Sequence, residues 1–448
     1  MMQKRWPLLL ILACYLLVGT LFAAQVPDWQ APDEPAHYNY VRQLANGRLP
    51  IIAPGDYDQA YLDEIREARF APEYSVDDIE YEDWQPPLYY LLLTPIFILT
   101  NGALLPLRLA SVLIGAGVIW LAYRIARLLF PEAEWVAWST AVFVAFIPQH
   151  VAMLASVNND SLSEFLIALL LYLTLRWVTR DGIRKLGDDR PWLIGLGLVL
   201  GLGFLTKATV YLMAPVLGVV LLWQYWGTWQ RLFQAGVLLF APSFVLGAIW
   251  WVRNVIVYGG LDILGKAAHD TVVVGQPRTM EWISKYGMDG TIQRFFQTTF
   301  NSFWGQFGWM AVPMNQPRAI YILLLALVVL AVLGLLLYRF TTSQIPMQFR
   351  SRLPVLILWL VFFLTLGIHV GYNLTFVQHQ GRYLFPALIP ISLGFSLGLG
   401  TWLLLVEKPF RRERPFLVNL MPIFIGVAFI LLDLFALFRL ILPGLSVS

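Results

Sequence analysis

The sequence predicts an all-α polytopic membrane protein, a helical bundle of about eleven transmembrane helices with short surface helices in its first long loop. Three observations carry this. Of 448 residues, 58% are hydrophobic and 13% charged, at a mean hydropathy of +0.65, whereas soluble chains carry about 25% charged residues. The apolar residues gather into runs of about 20, the length that crosses hydrocarbon. Lys and Arg gather at every second connection between the runs, as they do on the cytoplasmic side of membrane proteins.

The runs follow in order. Met1-Met2-Gln3-Lys4-Arg5 precedes an apolar stretch from Trp6 to Val26, longer than the core of about 7–15 residues in a cleavable signal, so it reads as a retained first span at 8–26. Further spans are expected at 104–129, 134–151, 160–178, 191–206, 209–226, 234–256, 319–338, 353–374, 384–406 and 418–438. The stretch 87–100 is apolar but short and holds Pro87 and Pro95.

Charge decides how 87–100 is used. If it lies on the surface, the inner connections hold Lys4 and Arg5, Arg124 and Arg127, and the cluster Arg176, Arg180, Arg184, Lys185 and Arg190. They also hold Arg231, then Arg339, Arg350 and Arg352, then Lys408, Arg411, Arg412 and Arg414. If it crosses, Arg124, Arg127 and the 176–190 cluster face outward, against the usual bias. The surface reading places the N-terminus inside and two long loops outside, at 27–103 and 257–318, on a single domain spanning 1–448. Between Pro27 and Pro87 the first loop holds fourteen acids and four basic residues. Within it, Pro35–Ala45 and Glu64–Phe70 have helical character, with Asp33-Glu34-Pro35 forming a favourable helix start.

Several classes are excluded. Cys14 is the single cysteine, so an intrachain disulfide is impossible and a cysteine-rich metal site is ruled out. There is no basic stripe for nucleic acid. There is no phosphate-binding glycine loop, soluble dinucleotide fold, His-Glu-x-x-His or nucleophile elbow, so no nucleotide partner is expected.

The chemistry-bearing residues lie at the ends expected to face outward. Asp33 and Glu34 follow the first span, with His37 one turn on. A carboxylate there can act as a general base or merely cap a helix. Gln85 opens the stiff segment Gln85-Pro86-Pro87-Leu88, which can anchor at the interface or wall a groove. Asn158, Asn159 and Asp160 can cap the fourth span or grip sugar and phosphate oxygens. Glu164 lies one turn deeper, where a carboxylate is costly. Asp33, Asp160 and Glu164 can bind Mg²⁺ or Mn²⁺ only if folding joins them. Lys207 and Arg253 can snorkel or hold phosphate. Arg382 sits beside Gly381 and Tyr383, with planar donors suited to phosphate. Arg108 starts the second span and can join these cations.

These segments resemble the GT-C type glycosyltransferases that use lipid-phosphate sugars, in the protein mannosyltransferase and aminoarabinose transferase branch. The resemblance rests on the Asp33-Glu34 acid pair after the first span, Gln85-Pro86-Pro87-Leu88, Arg108-Leu109-Ala110-Ser111, the Gly201–Lys207 segment and Arg382-Tyr383, in this order. It implies direct transfer of a hexose or pentose from a polyprenyl-phosphate donor to a lipid, glycan or protein acceptor at the outer face. Asp33, or Glu34, would serve as general base. Lys207 and Arg382, with Arg108, would hold the departing phosphate. His37, Gln85, Asn158, Asn159, Asp160, Tyr383 and Arg253 would support or bind substrate. No cofactor beyond a divalent metal (Mg or Mn) is implied, and branches differ on it. A polyprenyl-linked lipid or polysaccharide transporter and a non-catalytic lipid-binding subunit are the alternatives. A transporter needs polar groups along a whole crossing route, and here they cluster at one side.

Overall fold

The computed structural model describes residues 6–180, 186–338, 352–408 and 416–446. It is a helical bundle whose only strands among those residues are a two-residue hairpin, β1 (Gln306–Phe307) against β2 (Val312–Pro313). Lys4, Arg5, Arg184, Lys185, Arg339, Arg350, Arg411, Arg412 and Arg414, all assigned above to inner connections, lie outside the described residues.

The first span is α1 (Trp6–Gln25). The first long loop then folds into α2 (Glu34–Ala45), α3 (Gln59–Glu67) and α4 (Leu88–Leu99). Both expected surface helices are present, the second shifted toward the N-terminus because the Asp58 side chain caps it through the amides of Ala60 and Tyr61. Twelve residues of α4 extend about 18 Å, too short to cross hydrocarbon, in line with the surface reading of 87–100.

The bundle continues through α5 (Leu104–Leu129), α6 (Glu134–Phe146), α7 (Pro148–Leu154), α8 (Asp160–Val178), α9 (Leu186–Phe204), α10 (Met213–Tyr225) and α11 (Trp229–Tyr258). The second long loop carries α12 (Lys266–Val272), α13 (Thr279–Trp304) and the hairpin. Then come α14 (Ala319–Leu337), α15 (Leu353–Asn373), α16 (Leu388–Glu407), α17 (Leu417–Phe435) and α18 (Leu442–Leu445). Among the described residues, nine helical segments are long and apolar enough to cross a membrane, and the α6–α7 pair, bent by 64°, makes a tenth. The count of about eleven is not confirmed by length and apolarity alone. The remaining stretch, 191–206, falls mostly on α9, whose first turn holds Asp188 and Asp189.

Helix packing follows membrane rules, in which small residues let backbones approach. A Cβ on Gly334 would lie 1.9 Å from the Gly398 carbonyl oxygen, and one on Gly398 would lie 1.9 Å from that of Ala331. The α14–α16 crossing thus depends on both glycines. At the end away from the long loops, Asp189 accepts from Trp177 Nε1 at 2.9 Å and Tyr225 Oη at 2.8 Å, tying α8, α9 and α10 together. Arg176 and Arg180 lie over the Trp192 ring at the same end.

The alternation of helix direction brings the end of α1, the starts of α5 and α8, the end of α9 and the approach to α16 to one face. The two long loops cover that face, and it holds the chemistry-bearing residues.

Candidate active site

Three carboxylate–cation pairs form at the loop-covered face. Glu34 and Arg108 make a two-pronged pair, with Arg108 Nε 2.8 Å from Glu34 Oε1 and Nη2 2.6 Å from Oε2. The Val157 amide donates to Glu34 Oε1, and Arg108 also donates to the carbonyls of Ala23, Val26 and Pro27. With side-chain exposures of 0% and 3%, this pair is sealed and fully hydrogen-bonded. Both Glu34 oxygens are taken by Arg108 and the Val157 amide, and the Arg108 guanidinium faces this carboxylate and backbone carbonyls. Their donors and acceptors are consumed in pinning α2 and α5 to the end of α1.

The other two pairs are open. Arg382 Nη2 lies 2.7 Å from Asp33 Oδ2, and the Asp33 side chain is 22% exposed. Lys207 Nζ lies 2.6 Å from Asp160 Oδ1 and 2.7 Å from Asn159 Oδ1, with Asp160 23% exposed. Asp33 takes the N-terminal position of α2 but caps nothing. It adopts φ 68°, and its carboxylate turns away to receive Tyr81 Oη at 2.8 Å and Arg382. Left-handed backbone costs a non-glycine residue of order 1–3 kcal/mol, so the chain accepts strain to aim this carboxylate at Arg382. Burial alone would raise the Asp33 carboxyl. The Arg382 guanidinium and the Tyr81 hydroxyl outweigh that and hold it at about 2.

Arg382 is presented by a tight helical turn, Gly381–Ala387, between α15 and α16. Gly381 makes this possible. A Cβ there would lie 2.3 Å from both the Phe303 nitrogen and the Thr299 carbonyl oxygen of α13, and its own amide donates to Ser302 Oγ. The close approach is to a helix, not to a ligand. Arg382 Nε donates to Gln380 Oε1, while among the described residues Nη1 meets the Met153 sulfur at 4.0 Å, with the Tyr383 side chain also close to the guanidinium. One end of the guanidinium is therefore weakly held.

The remaining expected residues knit the pairs together. His37 Nδ1 and Asn159 Nδ2 both meet Tyr90 Oη, at 2.9 and 3.2 Å. Burial, with Lys207 nearby, lowers His37 to about 3, so it is uncharged near neutrality. Asn158 Oδ1 accepts the Asp160 amide at the start of α8, while its Nδ2 is buried without a partner. Gln85 accepts Tyr40 Oη on its backbone, its side chain bonds Glu82, and its Oε1 is likewise unpartnered. The amide of Leu88 donates to the Leu205 carbonyl, fastening this segment beside Lys207. Tyr383 packs under Arg382 and touches Tyr372 and His369.

Two expected roles find no support in this geometry. Arg253 donates to the Pro50 carbonyl, Asn254 and Tyr258, and lies over the Trp250 ring. Its Nη atoms hold the first loop at Pro50 and its own helix at Asn254 and Tyr258, while its Nε is buried without a hydrogen-bond partner. The metal set Asp33, Asp160 and Glu164 is not assembled. Glu164 is held by His150 Nε2 at 2.7 Å, the other two have Arg382 and Lys207 as counterions, and among the described residues no three His, Cys, Asp or Glu side chains converge. Tyr81, Gln380 and Met153 contact the pairs but stand outside the expected set. Gln380 lies two residues before Arg382, whereas nothing in the spacing singles out Tyr81 or Met153.

Beside the pairs, a cavity of about 450 Å³ opens between Lys266, Arg278, Tyr372 and Phe376. Tyr372 is its link to Tyr383 and so to Arg382.

Residues 84–251 match the sequence profile of the dolichyl-phosphate-mannose-protein mannosyltransferase family. The structure aligns over 99% of this chain and 74% of the other with ArnT from Cupriavidus metallidurans bound to undecaprenyl phosphate, at 16% identity and TM-score 0.50. It aligns over 95% of this chain and 52% of the other with the Archaeoglobus fulgidus oligosaccharyltransferase in complex with Zn and sulfate, at 15% identity and TM-score 0.54.

The chain has a GT-C-like fold. The GT-C likeness read from its motifs holds in three dimensions over nearly its whole length, as a likeness of fold. In sequence, the chain is 27% identical over 154 residues to the undecaprenyl phosphate-alpha-4-amino-4-deoxy-L-arabinose arabinosyl transferase of Erwinia tasmaniensis. That region is 34% of this chain, and it spans about a quarter of the relative's length.

Proposed function

We propose that this GT-C chain is a glycosyltransferase that moves a sugar from a polyprenyl-phosphate donor to a hydroxyl- or amine-bearing acceptor at the outer face of the membrane. The single observation that carries this is the pair of open ion pairs, Asp33–Arg382 and Asp160–Lys207, side by side at the loop-covered ends of the spans. Two cations at that depth suit a lipid phosphate whose tail lies among the helices. The likeness to an undecaprenyl-phosphate-bound fold and to mannosyl and arabinosyl transferases supports the same donor class.

In this reading the donor phosphate engages Lys207 and the weakly held end of Arg382. The acceptor enters from the cavity above Tyr372, and Asp33 orients its hydroxyl toward the anomeric carbon. The acceptor oxygen attacks as the sugar–phosphate bond breaks. The phosphate gains negative charge just where both cations stand, which lowers the barrier through a preorganised field. The described basic residues at the opposite helix ends, Arg124, Arg127, Arg176, Arg231, Arg352 and Lys408, support placing that end in the cytoplasm and this face outside.

The test uses purified protein in lipid nanodiscs with two synthetic donors, undecaprenyl-phosphate mannose and undecaprenyl-phosphate aminoarabinose, and a membrane lipid extract as acceptor. Release of undecaprenyl phosphate with appearance of a sugar-bearing product supports the proposal. Tight donor binding with no turnover by either donor points instead to a lipid-binding subunit.

A further inference from the structure

A general base needs an oxygen free to meet the acceptor proton. Both Asp33 oxygens are engaged, one by Tyr81 and one by Arg382. Both Glu34 oxygens are engaged by Arg108 and Val157. Asp160 is tied to Lys207. Another carboxyl of the first loop, Glu82, is adjacent in sequence to Tyr81, the tyrosine that holds Asp33. Its Oε2 is buried and has no partner, and its only neutral side-chain anchor is Gln85. The charges of Asp33, Lys207 and Arg382 all act on it, so it lies close to the two open pairs.

We propose that Glu82 is the residue that removes the acceptor proton, with Asp33 as the fixed carboxylate that aligns the hydroxyl. This rests on the glycosyltransferase reading above. In the step, the acceptor oxygen forms its bond to the anomeric carbon and its proton passes to Glu82 Oε2. The carbon–oxygen bond to phosphate breaks, and the lipid phosphate leaves with the electron pair. Its added charge is balanced by Lys207 and Arg382. Glu82 then returns the proton to water. No oxidant or further reactant is required.

The surroundings give the assignment a signature. Besides Asp33, Lys207 and Arg382, the titratable groups acting with Glu82 are Tyr81 and Asp83 in its own segment, Tyr90 of α4 and Tyr372 of α15. Burial, then the Asp33 charge, raise the Glu82 carboxyl to about 8, and the cations only partly offset this. A base works when ionised, so turnover rises with pH and levels off above about 8. Asp83 is also raised to about 8 by burial and its Oδ1 is likewise unpartnered, but the charges acting most on it are Glu80, Asp56 and Glu82 rather than Lys207 and Arg382, so it takes no part in the step.

The experiment joins two readouts on the full chain in nanodiscs. Infrared titration follows protonated carboxyls without any sugar, and single-turnover donor cleavage follows the reaction with the two undecaprenyl-phosphate donors. Wild type should lose carboxyl protons near pH 8. Glu82→Gln should remove one of them and Asp83→Asn another. Only Glu82→Gln should cut turnover, by about 10²–10⁴-fold, and flatten the pH limb, while Glu82→Asp retains the limb at a lower rate. A Glu82→Gln protein with full turnover and an intact limb overturns the proposal, as does a Glu82 already ionised at pH 6. The infrared arm needs no donor, so a wrong choice of sugar is told apart from a wrong assignment of Glu82.

Discussion

Asp33 and Arg382 are 349 residues apart in sequence and 2.7 Å apart in space. The contact closes the bundle between the beginning of the first loop and the approach to α16. It also leaves the Asp33 side chain 22% exposed above a buried Arg382.

Replacing Asp33 with Asn removes the charge that aligns Arg382 while keeping shape. Transfer should fall by about 10²-fold through lost alignment, with the helical content and thermal transition of the wild type. Single-turnover donor cleavage beside circular dichroism checks this, and a fully active, folded variant would remove Asp33 from the reaction.

Glu34 and Arg108 should behave differently. Removing one partner strands the other as a buried charge, at about 3–5 kcal/mol. Arg108→Ala should therefore unfold at lower temperature and yield less protein, yet the fraction that folds should bind donor as wild type does. A scanning thermal melt read alongside donor KM separates the two effects.

Lys207 and Arg382 should set affinity for the lipid phosphate. A charged hydrogen bond contributes about 1.5–3 kcal/mol, so Lys207→Met should weaken undecaprenyl phosphate binding by about 10–100-fold. Arg253→Met, which removes Nη contacts to Pro50 and Tyr258, should leave that affinity unchanged. Lipid binding followed by native mass spectrometry distinguishes them.

Gly381 admits no side chain. Gly381→Ala would press a methyl group into the backbone of Thr299 and Phe303, shift Arg382 away from Asp33 and lower both stability and turnover. A proteolysis time course beside the cleavage assay reads both.

His37 should contribute no acidic limb. Burial holds it near 3, so it is neutral from pH 5 to 8. His37→Gln should keep the wild-type pH dependence even if its rate drops through the lost Tyr90 contact.

The sequence makes the bundle readable because apolar runs and their flanking charges obey the bilayer directly. It also exposes Asp33, Asp160, Lys207 and Arg382, since an ionisable group at the edge of a span is costly and stands out. It hides which acid pairs with which cation. Asp33 and Glu34 are neighbours in sequence, and only the left-handed turn at Asp33 sends one to Arg382 and the other to Arg108. Arg253 and Arg108 look like Lys207 in composition and depth, but backbone carbonyls from distant segments consume them. Tyr81 and Glu82 lie in a loop crowded with acids, where nothing in the pattern distinguishes a solvated carboxyl from an enclosed one. The 191–206 run reads as a span by hydropathy, while the acidic first turn of α9 is visible only once the helix is seen to begin at Leu186.

The central claim is that one cavity joins the two open ion pairs around a lipid phosphate. An electron cryo-microscopy map of the protein with undecaprenyl phosphate tests it most directly. The account predicts phosphate density within hydrogen-bonding reach of Lys207 Nζ and Arg382 Nη1, with the prenyl tail running down between the spans. Phosphate density at Arg253, or at the opposite ends of the helices, would contradict it.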